Sequence, residues 1–170
     1  MTAIPHPDAA EFAVGCAVMT VSDSRTVQDD RSGQLIQQLL TAAGHQIQAY
    51  TLVKDEPAQI QAQIQTLRQQ PDIDVLILNG GTGIAPRDTT YEAVAALLAK
   101  TLPGFGELFR MLSYQEIGSR AIASRAIAGT IDNQLIFAIP GSTKAVVLAM
   151  EKLILPELRH LVSQLREKGA

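Results

Sequence analysis

The sequence predicts a three-layer α/β/α domain built on a mostly parallel open sheet with an antiparallel edge. Three observations lead there. Apolar runs of strand length alternate with amphipathic stretches of helical period. The two densest runs, residues 12–21 and Val75-Leu76-Ile77-Leu78, are apolar at almost every position, as strands covered on both faces are. Most of these strands open into a polar or glycine-rich loop before the next helix.

The first strand, residues 12–21, carries Val14, Val18 and Val21, and residues 22–31 are polar and acidic. Ser32-Gly33 opens a helix with Leu35, Ile36, Leu39, Leu40 and Ala43 on one face, closed by Gly44. Residues 47–53 form a second strand, and Asp55-Glu56-Pro57 starts a helix carrying Ile60, Ile64 and Leu67. The third strand runs from Val75 into Asn79-Gly80-Gly81-Thr82-Gly83. A helix then begins near Thr89, which has capping-box spacing to Glu92. Val94, Leu97 and Leu98 are its buried stripe, and Pro103-Gly104 ends it. Residues 106–116 read as a helix with Leu108, Phe109 and Leu112 inward, and residues 117–123 fit either a short helix or a loop. Residues 125–130 and 135–139 are two strands joined at Asp132-Asn133, a hairpin on one edge. Pro140-Gly141-Ser142 leads into a helix with Ala145, Val146, Ala149 and Leu153. Beyond Pro156 another carries Leu158, Leu161, Val162 and Leu165.

At 170 residues, 46% hydrophobic and 18% charged, the chain fits one domain over residues 12–168 behind a disordered tail, residues 1–11. Fourteen basic against 17 acidic residues give a net charge of -3 without a basic run, which argues against nucleic acid as a partner. Cys16 is the only cysteine and sits in an apolar stretch, which excludes intrachain disulfides and cysteine-based zinc sites and fits a reducing, cytoplasmic compartment. No basic start precedes an apolar core, and no segment approaches 18 unbroken apolar residues, so neither secretion nor membrane spanning is expected. His6, His45 and His160 have no ligand spacing and read as surface residues, which leaves no Ser-His-Asp nucleophile.

Ligands of an open parallel sheet bind beyond the carboxyl ends of its strands. Four loops on that rim carry polar or glycine-rich sets: Ser22-Asp23-Ser24-Arg25 with Asp30-Arg31-Ser32-Gly33, Lys54-Asp55-Glu56, residues 80–88, and Pro140-Gly141-Ser142-Thr143. Gly80, Gly81, Thr82 and Gly83 offer consecutive N–H groups as an anion nest. No Lys-Ser/Thr follows, and Pro86 stands where a dinucleotide fingerprint has its third glycine, so neither nucleotide motif applies. Two roles fit Asp88. It caps the next helix, or, with Thr89 as the cap, its carboxylate is free to hold Mg²⁺ against phosphates while Arg87 pairs with them bidentately. Asp55 has the same alternatives. Asp23, Asp29 and Asp30 read as solvated loop acids, and a helix starting at Ser32-Gly33 could take a second anion. Metal-assisted phosphoryl chemistry is the class that remains.

Taken together, Thr20-Val21-Ser22-Asp23, Asp30-Arg31-Ser32-Gly33, Gly80-Gly81-Thr82-Gly83 with Pro86-Arg87-Asp88-x-Thr90-x-Glu92, Ser124-Arg125-Ala126 with Gly129, and Pro140-Gly141-Ser142 resemble the molybdenum cofactor biosynthesis proteins of the MoaB/Mog type, related to the gephyrin G domain. The likeness covers about residues 12–160. Gly104-Phe105-Gly106-Glu107, Phe109-Arg110 and the Pro140 to Lys144 segment look like the MoaB branch. The resemblance implies a molybdopterin-binding domain, a homotrimer or homohexamer, whose active members transfer AMP from Mg-ATP to molybdopterin and release pyrophosphate before molybdate insertion. It places Asp55 and Asp88 as catalytic and Mg²⁺-binding acids and Ser124 near the pterin or nucleotide. Ser22, Asp23, Ser32, Gly33, Gly80, Gly81, Thr82, Gly83, Arg87, Pro140, Gly141 and Ser142 complete the expected molybdopterin and nucleotide contacts. No permanently bound cofactor is expected, and a molybdenum-insertion protein is the candidate downstream partner. The alternative is a non-catalytic molybdopterin carrier or oligomeric scaffold in the same pathway.

Overall fold

A computed structural model describes residues 11–166. The expected tail lies, except for Glu11, outside the described residues. A six-stranded sheet has the order β2-β1-β3-β6-β5-β4. Its strands are β1 (Gly15–Val21), β2 (Gln46–Val53), β3 (Val75–Asn79), β4 (Lys100–Thr101), β5 (Ile127–Ile131) and β6 (Gln134–Ile139). β2, β1, β3 and β6 run parallel, while β5 and β4 are antiparallel additions.

Strand side chains alternate between faces, and here both faces are covered. Cys16, Val18, Ile77 and Phe137 pack against α1 (Arg31–Ala42), α4 (Pro103–Ile117), α5 (Thr143–Ala149) and α6 (Leu155–Arg166). Ala17, Met19, Leu76 and Leu78 pack against α2 (Pro57–Arg68) and α3 (Thr90–Ala95). Two cores on opposite faces explain why β1 and β3 lack a polar side until their carboxyl ends, where Thr20 and Asn79 are fully buried.

The middle of the chain departs from the sequence expectation. α3 spans only Thr90–Ala95, so Leu97 and Leu98 lie beyond it. A Cβ on Gly129 would run into the Lys100 carbonyl and meet Leu98 Cδ1 at 2.7 Å, so the bare glycine of β5 makes room for this leucine and for the backbone of the short β4. Pro103-Gly104 does not end a helix but opens α4, where proline's missing N–H costs nothing. On α4, Phe105 and Phe109 are buried, whereas Leu108 is exposed. Residues 118–123 form a 3₁₀ helix, and the hairpin edge gains β4 outside β5. The helix after Ser142 does not break at Pro156. It passes through a π turn, Met150–Ile154, which widens the backbone just before the proline ring.

Candidate functional site

Because β2 and β3 flank β1 on opposite sides, the order in which strands are added reverses between β1 and β3, and a ligand crevice belongs at the carboxyl ends of those two parallel strands. A buried polar cluster lies directly beneath it. Asp30 is wholly buried rather than solvated and caps α1 by accepting the Gly33 N–H at 3.1 Å. It also accepts from the hydroxyls of Thr20 and of Tyr50, the latter at 2.6 Å. Burial alone would raise its pKa. The bonds from Thr20, Tyr50, Gly33 and Ser32 outweigh that and hold the carboxyl below its usual range. Burial, and then the Asp30 carboxylate, push the Tyr50 phenol up. Ser32 Oγ donates to Asn79 Oδ1 at 2.7 Å, and Asn79 Nδ2 donates to Thr20 Oγ1 at 2.9 Å. A Cβ on Gly33 would run into the Asp30 carboxylate and the Thr20 hydroxyl, so only glycine lets the helix approach. Ser32 and Gly33 are therefore buried beneath the rim, with the Gly33 amide already taken. That amide is not available to the second anion expected at the start of α1.

The glycine loop sits above this cluster. Gly80 and Gly81 adopt φ of 99° and 64°, the left-handed region. A Cβ on Gly81 would overlap Asp55 Oδ2 and the Thr90 hydroxyl. Gly80 donates its N–H to the carbonyl of Ile139 at 3.0 Å, while the amides of Gly81, Thr82 and Gly83 meet no protein acceptor among the described residues. Asp55 is 6% exposed and does not cap α2. Glu56 holds that position, without a side-chain bond to the helix. Asp55 Oδ1 instead accepts both the N–H (2.9 Å) and the hydroxyl (2.6 Å) of Thr89. The Thr89–Glu92 capping box is thereby undone, and Glu92 pairs with Arg125. Asp88, half-buried, accepts the Ala85 N–H at 3.0 Å through Oδ2, an oxygen that lies 2.6 Å from where a Gly83 Cβ would stand. Asp55 and Asp88 thus bracket the same three amides.

Arg87 bridges the cleft mouth. Its Nε and Nη2 donate to the two oxygens of Asp23 at 2.6 and 2.9 Å, and its Nη1 donates to Glu56 Oε1 at 2.8 Å. Arg87 holds the Asp23 carboxyl below its usual range. Asp23 also accepts the Asp55 N–H at 3.2 Å, which ties the first two rim loops together. Ser22 Oγ folds back on its own loop, accepting the N–H of Arg25 at 3.2 Å. Ser142 caps α5, and the Cβ position of Gly141 lies 3.1 Å from Gly80 Cα, which brings the Pro140 to Ser142 loop against the glycine loop. The Ser124 hydroxyl is buried and has no hydrogen-bond partner among the described residues.

Arg25 and Arg125 were not among the expected site residues. Arg125 donates to the carbonyls of Gly83 (2.9 Å) and Asp88 (3.2 Å), bonds Glu92, and lies 5.1 Å over the Tyr91 ring. It clamps both ends of the 83–88 segment. Nothing local marks it, because its partners are 33 to 42 positions away. Thr20 and Asn79 did carry a signal, as the polar residues at the ends of apolar strands. His45, expected at the surface, is 5% exposed and accepts the Val14 N–H through Nδ1.

A doubly wound α/β domain with a glycine loop and two acids at its switch-point rim belongs to the class built to hold a phosphorylated small molecule. Residues 17–160 match the sequence profile of a family described as "Probable molybdopterin binding domain". A Molybdenum cofactor biosynthesis protein B of Halalkalibacterium halodurans is 53% identical over 166 residues, covering 97% of this chain and 98% of that one. A crystal structure of a Molybdenum cofactor biosynthesis protein B superposes with TM-score 0.91 at 52% identity, covering 94% of this chain and 100% of the other. The tungsten cofactor synthesizing protein MoaB from Pyrococcus furiosus superposes with TM-score 0.81 at 34% identity, over 93% and 100% of the two chains. The chain belongs to the MoaB/Mog family of molybdenum cofactor biosynthesis proteins, in its MoaB branch.

Proposed function

We propose that this protein binds molybdopterin at the rim and transfers AMP to it from Mg-ATP. An oxygen of the pterin's phosphate attacks the α-phosphorus of ATP, the bond to the β-phosphate oxygen breaks, and pyrophosphate leaves. The observation that carries the reading is the bracketing of the free Gly81, Thr82 and Gly83 amides by Asp55 and Asp88. Those amides would take charge developing on the transferring group, the main way a protein assists such a displacement. The buried hydroxyls of Ser124 and Thr90, unpartnered among the described residues, leave hydrogen-bonding capacity that a bound pterin or nucleotide would meet after a small local shift.

Among the described residues no cluster of three His, Cys, Asp or Glu side chains could hold a metal unaided. Two carboxylates do suit a magnesium ion that arrives on a nucleotide, because such ions keep phosphate and water oxygens as their other ligands. Asp55 Oδ2 and Asp88 Oδ1 accept no hydrogen bond from the described residues and are the oxygens to meet it. Magnesium neutralises the phosphate charge of the co-substrate.

The carrier reading has one observation in its favour. Arg87 is fully engaged by Asp23 and Glu56, so it does not face the cleft as a free cation. Purified protein incubated with α-labelled ATP, magnesium and molybdopterin separates the two. Pterin-bound AMP with stoichiometric pyrophosphate supports transfer, and tight pterin binding without either product supports the carrier.

Assembly as a homotrimer or homohexamer is supported by α4, where Leu108, Met111, Tyr114 and Ile117 are exposed at three-residue intervals. A groove of about 620 Å³ between the end of α4 and α5 carries Glu116, Lys144, Glu151 and Lys152, both signs of charge, which a second copy of the chain could meet with charges of its own. Sedimentation of Met111→Glu, expected to fall to monomer, checks this. No described helix is long and apolar enough to cross a membrane. A cytoplasmic placement, with delivery of the adenylylated pterin to a molybdenum-insertion protein, completes the proposal.

A further inference from the structure

Arg25 lies over the β1/β3 crevice and is held there from three directions. Its Nη2 donates to the carbonyl of Gly141 at 3.0 Å and its Nη1 to Ser32 Oγ at 2.5 Å, and Ser22 Oγ anchors its own N–H. The Cβ position of Gly141 is 3.6 Å from Arg25 Nη1 as well as 3.1 Å from Gly80 Cα. The guanidinium therefore sits where the carboxyl-end loops of β1, β3 and β6 meet, above bare glycine backbone that a ligand can approach.

The charge of Arg25 is only partly met by the protein, through an ion pair with the buried Asp30. Its contact with Asp30 is long, 3.4 Å, and Asp30 already has closer donors in Thr20, Tyr50 and Gly33. The side chain is 34% exposed, and its Nε–H meets no acceptor among the described residues. Arg87 is the opposite case, more exposed, with all three guanidinium nitrogens on acids. A planar fork held rigidly by a polar cluster is suited to a tetrahedral dianion.

We propose that Arg25 reads the phosphate group of the pterin at the β1/β3 crevice, with the Thr20–Asp30–Ser32–Asn79 cluster as the positioning residues that hold its guanidinium. This rests on the molybdopterin reading above. Calorimetry tests it with two probes, molybdopterin and the same pterin after enzymatic removal of its phosphate, against the wild type, Arg25→Ala and Arg25→Lys. The wild type is expected to prefer the phosphorylated form. Arg25→Ala should cut that preference roughly ten- to a hundredfold, the worth of a lost charged hydrogen bond, with affinity for the dephosphorylated form retained. Arg25→Lys should restore part of it. A role confined to holding the Gly141 loop would weaken both forms alike, and an unchanged ratio in folded Arg25→Ala overturns the proposal. Should Arg25→Ala not fold, Arg25→Gln, which can still donate to Gly141, is read by the same ratio. A wild type that binds the pterin without regard to its phosphate sinks the Arg25 role alone, and one that binds neither probe sinks the molybdopterin reading with it.

Discussion

Asp55 and Thr89 are joined by two hydrogen bonds that converge on one carboxylate oxygen, from the Thr89 N–H at 2.9 Å and its hydroxyl at 2.6 Å. Since Thr89 follows Asp88 directly, Asp55 fixes the backbone that presents the second acid. Asp55→Ala would leave two donors unmet in a nearly buried setting and should cost about 2 kcal/mol. Asp55→Asn keeps an acceptor and should cost about 1 kcal/mol. Urea denaturation checks this as a fall in midpoint at constant slope. Both variants should lose AMP transfer, so Asp55→Asn separates the chemical role from the structural one.

Gly81 and Gly104 make a matched pair for substitution. A Cβ on Gly81 would overlap Asp55 Oδ2 and Thr90 Oγ1, at a φ of 64° that side chains resist. Gly104 lies in the first turn of α4, and no neighbouring group among the described residues comes within 4 Å of its Cβ position. Gly81→Ala should destabilise by more than about 1 kcal/mol and abolish pterin binding. Gly104→Ala should stabilise by about 0.5 kcal/mol and leave binding intact. Thermal unfolding and a binding isotherm on each variant provide the comparison.

His45 gives the fold a pH dependence near neutrality. Burial, and then the positive charge of Arg159, hold its imidazole below the ordinary 6.5. Below that value the unfolded chain takes up a proton that native His45 refuses. Its contribution is therefore complete above about pH 6.5 and is lost as the pH falls toward the folded value. The slope cannot exceed about 1.4 kcal/mol per pH unit for one proton. Asp23, Asp30 and Glu92, each held below its ordinary 3.8 or 4.5, lose their contributions only in a lower window, as the pH falls from there through their folded values. Urea midpoints from pH 5 to 8 should decline on the acid side in the wild type and flatten in His45→Gln.

What could be read from the sequence divides by the range of the interactions. β1 and β3 were legible because burial on both faces leaves a nearly unbroken apolar run, and the glycine loop because its backbone demands are local. Asp30 was not, since its burial comes from Thr20 and Tyr50, ten and twenty positions away on two strands. Arg125 owes its place to Gly83, and Arg25 reaches Gly141 as well as its own loop, and no local pattern connects either pair. β4, two residues long, offers no period to detect, and its close approach to β5 depends on the room that Gly129 leaves for Lys100 and Leu98.

Arg87 supplies the last prediction, because its ion pairs set it against any anion that enters. Asp23 holds it with two bonds and Glu56 with a third, so a phosphate that recruits Arg87 must first displace a carboxylate. Exposed pairs of this kind are individually weak, so the competition is open to a dianion. Asp23→Asn removes the stronger competitor's charge while keeping an acceptor for the Asp55 N–H. Affinity for inorganic pyrophosphate should therefore rise roughly threefold to tenfold in Asp23→Asn and fall in Arg87→Ala. In Asp23→Asn combined with Arg87→Ala the gain should vanish, because the aspartate acts only through the arginine. Calorimetric titration of the three variants at fixed ionic strength measures this, and a gain that survived in the double variant would mean that Asp23 repels the anion directly across the cleft.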